Sequence, residues 1–394
     1  MTGERTSAPL VAILATCNTK QAEADFLASA LIDCGLRPVI IDISISKADQ
    51  KNQLKQKIYL MQASAESAHK KLIELMDKGL AGAIGIGGGT GTWVCIQAMD
   101  KLAFGWPKVI VSTLAYDVRA SIASNDIILM PSVADIQGLN PTLRKVLQNA
   151  AAVMFGLTDC APSRTDLEKP VIGITSLGVT NDAVTGISDR LIDAGFEVTT
   201  FHATGMGGHA YERWISMGKL DGVIDLTTQE LHGLSYGAPI VCDQNRLLSA
   251  AAAGVPQIII PGGMDFIARG HIDTLTEHEL TRPRFCHSPE YTHIRATDEQ
   301  VTTTAKIMAE RLNGATGPLA VVVPLGGFSV EGSRPDGAMW DPDLCKLFTA
   351  VLQQNLNPSI PVTTSPKAIT NPDFHDLVLR IFFKTFNQSQ SDRS

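Results

Sequence analysis

Residues 83–94 read Ala-Ile-Gly-Ile-Gly-Gly-Gly-Thr-Gly-Thr-Trp-Val, an apolar run that leads into five glycines and then into a helical pattern. A strand, a turn and a helix in this order form the unit from which parallel α/β sheets are built. Similar apolar runs at Val11–Ala15 and Val109–Val111 also alternate with helical stretches. Strands of this kind are apolar throughout because helices cover both faces of the sheet. The sequence therefore predicts an α/β fold with doubly wound, Rossmann-like parallel sheets.

The pattern occurs twice along the chain. Leu31-Ile-Asp-Cys-Gly-Leu36 and Leu191-Ile-Asp-Ala-Gly-Phe196 lie 160 residues apart and match almost residue for residue. Two more pairs of strand segments align at offsets of 140 and 149, namely Leu80–Gly85 with Leu220–Asp225 and Trp106–Val111 with Val255–Ile260. The alternative is the general likeness of all parallel α/β chains. We expect two subdomains related by internal duplication.

The 394 residues are enough for two domains. We place a nucleotide-binding subdomain at 1–160, a second subdomain at 161–386 and a disordered tail at 387–394. The hinge between them is expected within Thr158–Pro170, a segment with prolines and charges. Residues 47–77, rich in Lys, Gln and Ala, are predicted to form a helical insertion that only the first half carries.

Charge and composition exclude several classes of protein. The net charge of −7 without a basic block argues against nucleic acid as a direct partner. The chain has no apolar run of about 20 residues, so we expect no membrane span. Its seven cysteines are scattered and form no Cys-x-x-Cys pair, which is typical of a reducing compartment and argues against a disulfide framework and a zinc knuckle. We expect a cytoplasmic protein.

The glycine-rich loop, Gly85–Thr92, has more glycine than a tight turn needs. Glycine at a strand end lets the backbone approach a phosphate, and the helix that follows offers unpaired N–H groups. The loop is neither a P-loop nor a clean Gly-x-Gly-x-x-Gly motif. We expect it to bind a nucleotide; a purely structural turn is the alternative. The residues predicted to bind the phosphates are Gly87, Gly88, Gly89, Thr90, Gly91 and Thr92.

Two neighbouring loops contain further candidates for nucleotide binding. Thr19 and Lys20 open a helix after the first strand, and Asp117 and Arg119 follow the strand after the glycine loop. Arg119 could pair with phosphate, and the aspartate could hold ribose hydroxyls or a metal ion. A solvated helix cap and ordinary loop residues are the alternatives.

Several motifs follow one another in a familiar order: Thr19-Lys20, Gly85-Ile-Gly-Gly-Gly-Thr-Gly-Thr92, Asp117-Val-Arg119, Ser132-Val-Ala-Asp-Ile-Gln-Gly-Leu-Asn140 and Phe201-His-Ala-Thr-Gly-Met-Gly-Gly208. From about Val11 to Phe383 the chain resembles the Tm-one-like ATP-binding family. These are uncharacterised bacterial and fungal proteins similar to the N-terminal part of a plant tobamovirus-resistance protein. The resemblance implies two Rossmann-like subdomains, ATP bound in the first, and a homodimer, but no known reaction.

The chain departs from the family at its first loop. The usual Gly-Thr-x-Asp-Thr-Lys-Gly is replaced by Ala15-Thr-Cys-Asn18-Thr-Lys-Gln21. An amide at Asn18 instead of a carboxylate removes one contact that Mg²⁺ would use. The resemblance therefore implies ATP binding, while this departure weighs against the participation of Mg²⁺.

Polar residues also follow the predicted strands of the second half. They are His202, Asp225, Glu230, Asp265 and Arg269. Ligands of open α/β sheets bind beyond the carboxyl ends of the strands, so we expect these residues to form one cleft. Carboxylates near an arginine and a histidine can bind a hydroxy- or keto-acid and move protons. Ordinary surface ion pairs are the alternative.

The patterns and the family resemblance together predict an ATP-binding protein with a second small-molecule site, and enzymatic turnover of a small organic acid is one use that this second site could have. Two alternatives stay open. One is a non-catalytic, nucleotide-dependent protein-interaction module, and the other is an enzyme that uses the second cleft without ATP chemistry. The expected partners are a nucleotide, a small-molecule ligand and a second copy of the chain, with no nucleic acid and no membrane.

Overall fold

The structure, a computed structural model, describes residues 8–45, 53–123, 125–159, 169–239 and 242–391. The chain divides into two compact units, Met1–Thr165 and Asp166–Ser394. Most of the predicted hinge segment lies outside the described residues, while Thr158 and Asp159 end the last helix of the first unit.

Strands and helices alternate along the first unit. Its described elements are β1 (Leu10–Ala15), α1 (Cys17–Asp33), β2 (Arg37–Asp42), α2 (Gln53–Met76), β3 (Leu80–Gly87), α3 (Gly89–Asp100), β4 (Lys108–Ser112), α4 (Arg119–Ile122), β5 (Ile128–Pro131) and α5 (Pro141–Asp159).

All five strands of the first unit are parallel, in the order β2-β1-β3-β4-β5. Helices α1 and α5 cover one face of the sheet, and α2 and α3 cover the other. In β1, for example, Ile13 packs towards α1 and α5 whereas Leu14 packs towards α3. Both side chains are fully buried, which explains why this strand is apolar at every position.

The second unit has more elements. They are β6 (Val171–Ser176), α6 (Asn181–Asp193), β7 (Glu197–His202), α7 (Met206–Ser216), β8 (Gly222–Thr227), α8 (Gly233–Tyr236), α9 (Ser249–Ala253), β9 (Gln257–Gly262), β10 (Phe266–Arg269), α10 (Glu277–Leu280), β11 (Arg284–Ser288), β12 (Tyr291–Arg295), α11 (Asp298–Leu312), β13 (Leu319–Pro324), α12 (Pro342–Asn355), β14 (Val362–Ser365) and α13 (Pro372–Ser391).

The main sheet of the second unit is also parallel, in the order β7-β6-β8-β9-β13-β14. Its first four strands occupy the positions of β2, β1, β3 and β4 in the first unit, and the sequence offsets align two of these pairs, β3 with β8 and β4 with β9. The predicted class, two doubly wound parallel-sheet subdomains related by duplication, is therefore confirmed. A three-stranded antiparallel sheet, β10-β12-β11, has no counterpart among the described residues of the first unit, and the sequence pattern did not predict it.

The segment 47–77 was predicted to be a helical insertion, and its residues up to 52 lie outside the described residues. Its described part from Gln53 onward is α2, the connection between the parallel strands β2 and β3, and α7 makes the equivalent connection in the second unit. Helix α2 has 24 residues and α7 has 11, so the first unit differs in the length of this helix. Ala65, Ala68 and Leu72 on α2 are buried against the sheet and α3.

The end of the chain also differs from the prediction. Helix α13 continues through Ser391, so residues 387–391 are helical where a disordered tail was expected. Phe382 and Phe386 pack their rings against Phe196, and this apolar contact stabilises the helix near its end. Residues 392–394 lie outside the described residues.

Candidate functional site

The strand order of the first unit defines a crevice. Strands β1 and β3 are neighbours, but α1 leaves β1 towards one face of the sheet and α3 leaves β3 towards the other. Ligands of open α/β sheets bind at such switch points, beyond the carboxyl ends of the strands. The glycine-rich loop follows β3 and therefore borders this crevice.

The glycine loop is a very short turn. Strand β3 ends at Gly87 and α3 begins at Gly89, so Gly88 alone connects them. A Cβ atom on Gly87 would lie 2.7 Å from the backbone carbon of Gly91 and from the nitrogen of Thr92. Gly87 is thus required by the close packing of the first turn of α3 on the end of β3.

Three other glycines of the turn are not required by packing. Among the described residues, the nearest atom to a Cβ on Gly88 would be Thr113 Oγ1 at 3.9 Å, and for Gly89 it would be Ala115 Cβ at 3.7 Å. On Gly91 the nearest would be a carbonyl oxygen at 3.5 Å, an ordinary contact. None of the three has a positive φ. The chain itself does not explain why these positions lack side chains, whereas close approach of a ligand to the backbone would.

The N-termini of α1 and α3 differ in their hydrogen bonding. At α1 the N–H of Cys17 donates to Asp42 Oδ1 at 3.1 Å, and the N–H of Asn18 donates to Ser44 Oγ at 3.0 Å. Asp42 also places a carboxylate at the positive end of that helix. At α3 the N-cap residue is Gly88, which has no side chain that could cap the helix. Side chains thus accept hydrogen bonds from backbone N–H groups at the N-terminus of α1. At the N-terminus of α3 the backbone N–H groups can donate to an anion instead.

Thr92 has a different role from the one predicted. Its hydroxyl donates to the carbonyl of Gly87 at 3.1 Å and lies 2.7 Å from Ser112 Oγ. The side chain is buried and closes the turn between β3 and α3. We therefore correct its predicted contact with phosphate, while the partly exposed Thr90 keeps that prediction.

The other predicted nucleotide ligands have partners within the chain. Lys20 Nζ donates to the carbonyl of Ile136, and Thr19 Oγ1 donates to the carbonyl of Thr16. Asp117 and Arg119 form an exposed ion pair with each other at 2.7 Å. The hydrogen bonds from Arg119 lower the pKa of Asp117 to about 2. In the sequence these residues are close to the carboxyl ends of the strands of the first sheet. Their side-chain contacts, however, stabilise the loops in which they lie.

In the second unit, a buried arginine gathers three carboxylates. Arg246 Nε donates to Glu230 at 2.9 Å, one terminal nitrogen donates to Asp225 at 2.6 Å, and the other contacts both Asp225 and Glu212. Arg246 is fully buried, and its guanidinium lies over the ring of Tyr211. We call these four charged residues the Arg246 cluster. They connect the end of β8 with α7 and the segment before α9.

Burial dominates the electrostatics of this cluster. It raises the pKa of Glu212 and of Glu230, although Arg246 and backbone donors act in the opposite direction. The carboxylates are also used structurally: Glu230 accepts the N–H of Gly205 before α7, and Glu212 accepts the N–H of Leu247 at 2.8 Å. Asp225 and Glu230 are thus brought together as predicted, but in a sealed core.

The other residues of the predicted second cleft lie elsewhere. Asp265 is buried and accepts a hydrogen bond from Ser329 Oγ at 2.7 Å, and burial raises its pKa to about 7. Arg269, on the unpredicted antiparallel sheet, pairs with Glu279 at 2.7 Å. His202 is exposed at the end of β7. The expected meeting of Arg269 with these carboxylates is therefore wrong.

Sequence reasoning missed the arginine that holds the cluster. Arg246 lies in an irregular segment before α9, far from any strand end, and no motif marks it. It also missed a second pair nearby, in which His209 Nδ1 lies 2.6 Å from Asp243 Oδ2. The hydrogen bond with Asp243 raises the pKa of His209.

Two kinds of feature are absent from the described ranges. Residues 8–45, 53–123, 125–159, 169–239 and 242–391 contain no group of three or more His, Cys, Asp or Glu side chains arranged so that they could hold a metal ion. In the same ranges, no helix is long and apolar enough to cross a membrane.

The fold and the glycine turn define a class: a two-unit α/β protein with the strand order of flavodoxin-like sheets in each unit and a glycine turn beside the β1–β3 crevice of the first. The models of an uncharacterised protein family, UPF0261, match both units, the N-terminal domain at residues 46–162 and the C-terminal domain at residues 169–386. This chain belongs to the UPF0261 family.

Relatives come from bacteria and plants. A UPF0261 protein of Clostridium tetani is 34% identical over 341 residues, covering 81% of this chain and 84% of that protein. The UPF0261 protein RA0729 of Rhizobium meliloti is 31% identical over 394 residues, covering 94% and 97%. The ToMV resistance protein Tm-1(GCR237) of Solanum lycopersicum is 31% identical over 322 residues, covering 80% of this chain and 43% of the tomato protein. The resemblance predicted from the motifs is thereby confirmed.

Proposed function

We propose that the first unit binds a nucleotide, with its phosphates on the N-terminus of α3 and its remainder in the crevice between β1 and β3. The observation that carries this proposal is the open space at Gly88 and Gly89 beside uncapped N–H groups. Backbone donors and the positive end of the helix suit a phosphate without needing a basic side chain. This agrees with the acidic net charge of the chain.

ATP is the nucleotide that the family resemblance implies. In this chain the backbone N–H groups of Gly89 and Thr90 would donate to phosphate oxygens, and the hydroxyl of Thr90 could add a donor. Gly88 and Gly89 would let the phosphate approach the backbone closely. The Asp42 carboxylate on the N-terminus of α1 would direct the anion away from that helix and towards α3.

Thermal unfolding with and without ATP tests the proposal on the wild type and on Gly88→Val. Saturation at 100 times the dissociation constant stabilises a protein by about 2.7 kcal/mol, which is roughly 5–10 °C for a unit of this size. Gly88→Val fills the space needed by the phosphate and should abolish the rise in melting temperature.

Gly156→Val is the matched control, since Gly156 lies on α5 with open space around its Cβ position. It should respond to ATP like the wild type. An equal rise in the wild type and in Gly88→Val would refute binding at this turn.

A second candidate, a nucleotide-dependent interaction module without turnover, is favoured by the Arg246 cluster. Carboxylates that were expected to perform acid–base chemistry are buried and bound to one another. The tomato relative is named as a ToMV resistance protein. Measuring whether the purified chain converts ATP tests this second candidate, because an interaction module would leave ATP intact while still being stabilised by it.

A further inference from the structure

A groove of about 370 Å³ lies between α2 and α3 in the first unit. Its volume is in the range of sites that bind small molecules. Five of the polar side chains that line it are exposed, namely Gln62, Glu66, Lys70, Gln97 and Lys101. Within the described ranges, none of these five side chains forms a hydrogen bond or an ion pair with another residue. The groove therefore presents charges and amides that the fold itself does not use.

The two helices that form the groove run in the same direction. Each returns from one parallel strand to the start of the next, α2 from β2 to β3 and α3 from β3 to β4. His69 Nδ1 on α2 lies 2.9 Å from the carbonyl oxygen of Ala98 on α3, so these two positions are level with each other. Trp93 and Lys101 are eight residues apart, which is about 12 Å along the axis of α3. Trp93 thus lies at one end of the groove and Lys101 at the other.

The charges of α2 follow a definite order along this axis. By the same register, Glu66 lies between the levels of Trp93 and Lys101. Lys70, one turn further along α2, lies towards Lys101. Opposite charges four residues apart usually pair on a helix, but Glu66 and Lys70 do not pair in this described part of α2. From one end to the other, the groove offers an indole ring, a carboxylate and two ammonium groups.

The second unit shows that the fold does not impose this lining. Its helices α7 and α9 occupy the positions of α2 and α3, and a groove of about 460 Å³ lies between them. The described lining of that groove is uncharged and without aromatic rings, with Ser216, Asn245 and Ala252 among its residues. Two equivalent grooves thus differ in chemistry, and only the groove of the first unit is equipped to bind a charged aromatic molecule.

We propose that the groove between α2 and α3 binds an aromatic α-amino acid. Its ring would lie on Trp93, its ammonium group on Glu66 and its carboxylate between the two lysines. A ring packed on an indole and oppositely charged groups in hydrogen-bond contact give such a ligand both affinity and orientation. The inference does not rest on the proposed nucleotide site, because the glycine turn, which is described throughout, contributes none of the lining.

Calorimetric titration of the full chain with L-phenylalanine, L-alanine and hydrocinnamate tests the proposal. L-Alanine lacks the ring, and hydrocinnamate is phenylalanine without its ammonium group. Lys70→Gln and Lys101→Gln each remove a cation from the groove, and Glu66→Gln removes the anion. Lys71→Gln and Glu74→Gln are the matched controls, because Lys71 and Glu74 are exposed on α2 but do not line the groove.

The wild type should bind L-phenylalanine about tenfold or more tightly than either of the other two compounds. Lys70→Gln and Lys101→Gln should each lose about tenfold in affinity for L-phenylalanine and for hydrocinnamate, since both compounds carry the carboxylate. Glu66→Gln should lose about tenfold for L-phenylalanine and should bind hydrocinnamate at least as tightly as the wild type does. Both controls should bind every compound as the wild type does. A merely structural role of these side chains would not divide the losses by the functional groups of the ligand.

Three results would overturn the proposal. Absence of L-phenylalanine binding by the wild type would show that the groove is an ordinary solvated surface. Equal wild-type affinities for L-phenylalanine and hydrocinnamate would refute recognition of the ammonium group by Glu66. Lysine variants that bind L-phenylalanine as Lys71→Gln does would refute the contact with the carboxylate.

Discussion

Replacing Arg246 by Met tests how the second unit is held together. The substitution keeps an unbranched apolar chain of similar length and removes the guanidinium. It leaves Asp225, Glu230 and Glu212 buried without the cation that contacts all three. Removing one partner of a buried ion pair typically costs about 3–5 kcal/mol. For a unit of 150–250 residues, this corresponds to a fall in melting temperature of roughly 6–20 °C.

The loss should depend on pH. Burial already raises the pKa of Glu212 and of Glu230 in the folded chain, and without Arg246 both pKa values rise further. A carboxyl group whose pKa is higher in the folded than in the unfolded state destabilises the fold once the pH exceeds its unfolded pKa. The destabilisation by Arg246→Met should therefore be smaller at pH 5 than at pH 8.

Differential scanning calorimetry at these two pH values measures both effects. Arg190→Met is the matched control, because Arg190 forms an exposed ion pair with Asp376 in the same unit. Exposed pairs contribute about 0–1 kcal/mol, so this control should unfold nearly as the wild type does at either pH. If Arg246→Met were as stable as its control at pH 8, the cluster would not be a structural element of the core.

Three further substitutions test close packing and burial. Gly87→Ala places a Cβ atom 2.7 Å from the backbone of α3 and should lower the free energy of unfolding by about 1–3 kcal/mol. Gly88→Ala should leave the free energy of unfolding nearly unchanged. Equal losses for the two variants in urea unfolding would contradict the different roles assigned to the two glycines. Asp265→Asn removes a carboxyl group whose pKa is raised to about 7 by burial. As the pH rises from about 4 to about 7, the free energy of unfolding of the wild type should therefore fall by up to ~4 kcal/mol relative to that of this variant. Parallel pH profiles of the two proteins in urea unfolding would contradict this expectation.

The sequence predicts the sheets well because their signals are local. Each parallel strand is a short apolar run followed by a helix, and the repeat at Leu31–Leu36 and Leu191–Phe196 marks equivalent helix ends of the two units. The glycine loop is equally visible. A local pattern does not show which glycines serve packing, as Gly87 does, and which leave open space, as Gly88 does.

Charge partners were not predictable in the same way. Arg246 meets carboxylates from α7, from β8 and from the turn after β8, and no pattern along the chain specifies such meetings. Arg269 was assigned to the wrong group because β10 belongs to an antiparallel sheet whose strands look like ordinary loop sequence. Contacts between distant segments depend on packing that the sequence pattern does not contain.

A crystal structure of the chain grown with ATP tests the central claim, that the N-terminus of α3 is the phosphate site, most directly. We predict phosphate oxygens about 2.7–3.2 Å from the backbone nitrogens of Gly89 and Thr90. ATP bound instead in the groove of about 370 Å³ between α2 and α3, which Lys70, Trp93 and Lys101 line, would contradict the claim. So would a crystal saturated with ATP in which the turn at Gly88 contacts only solvent.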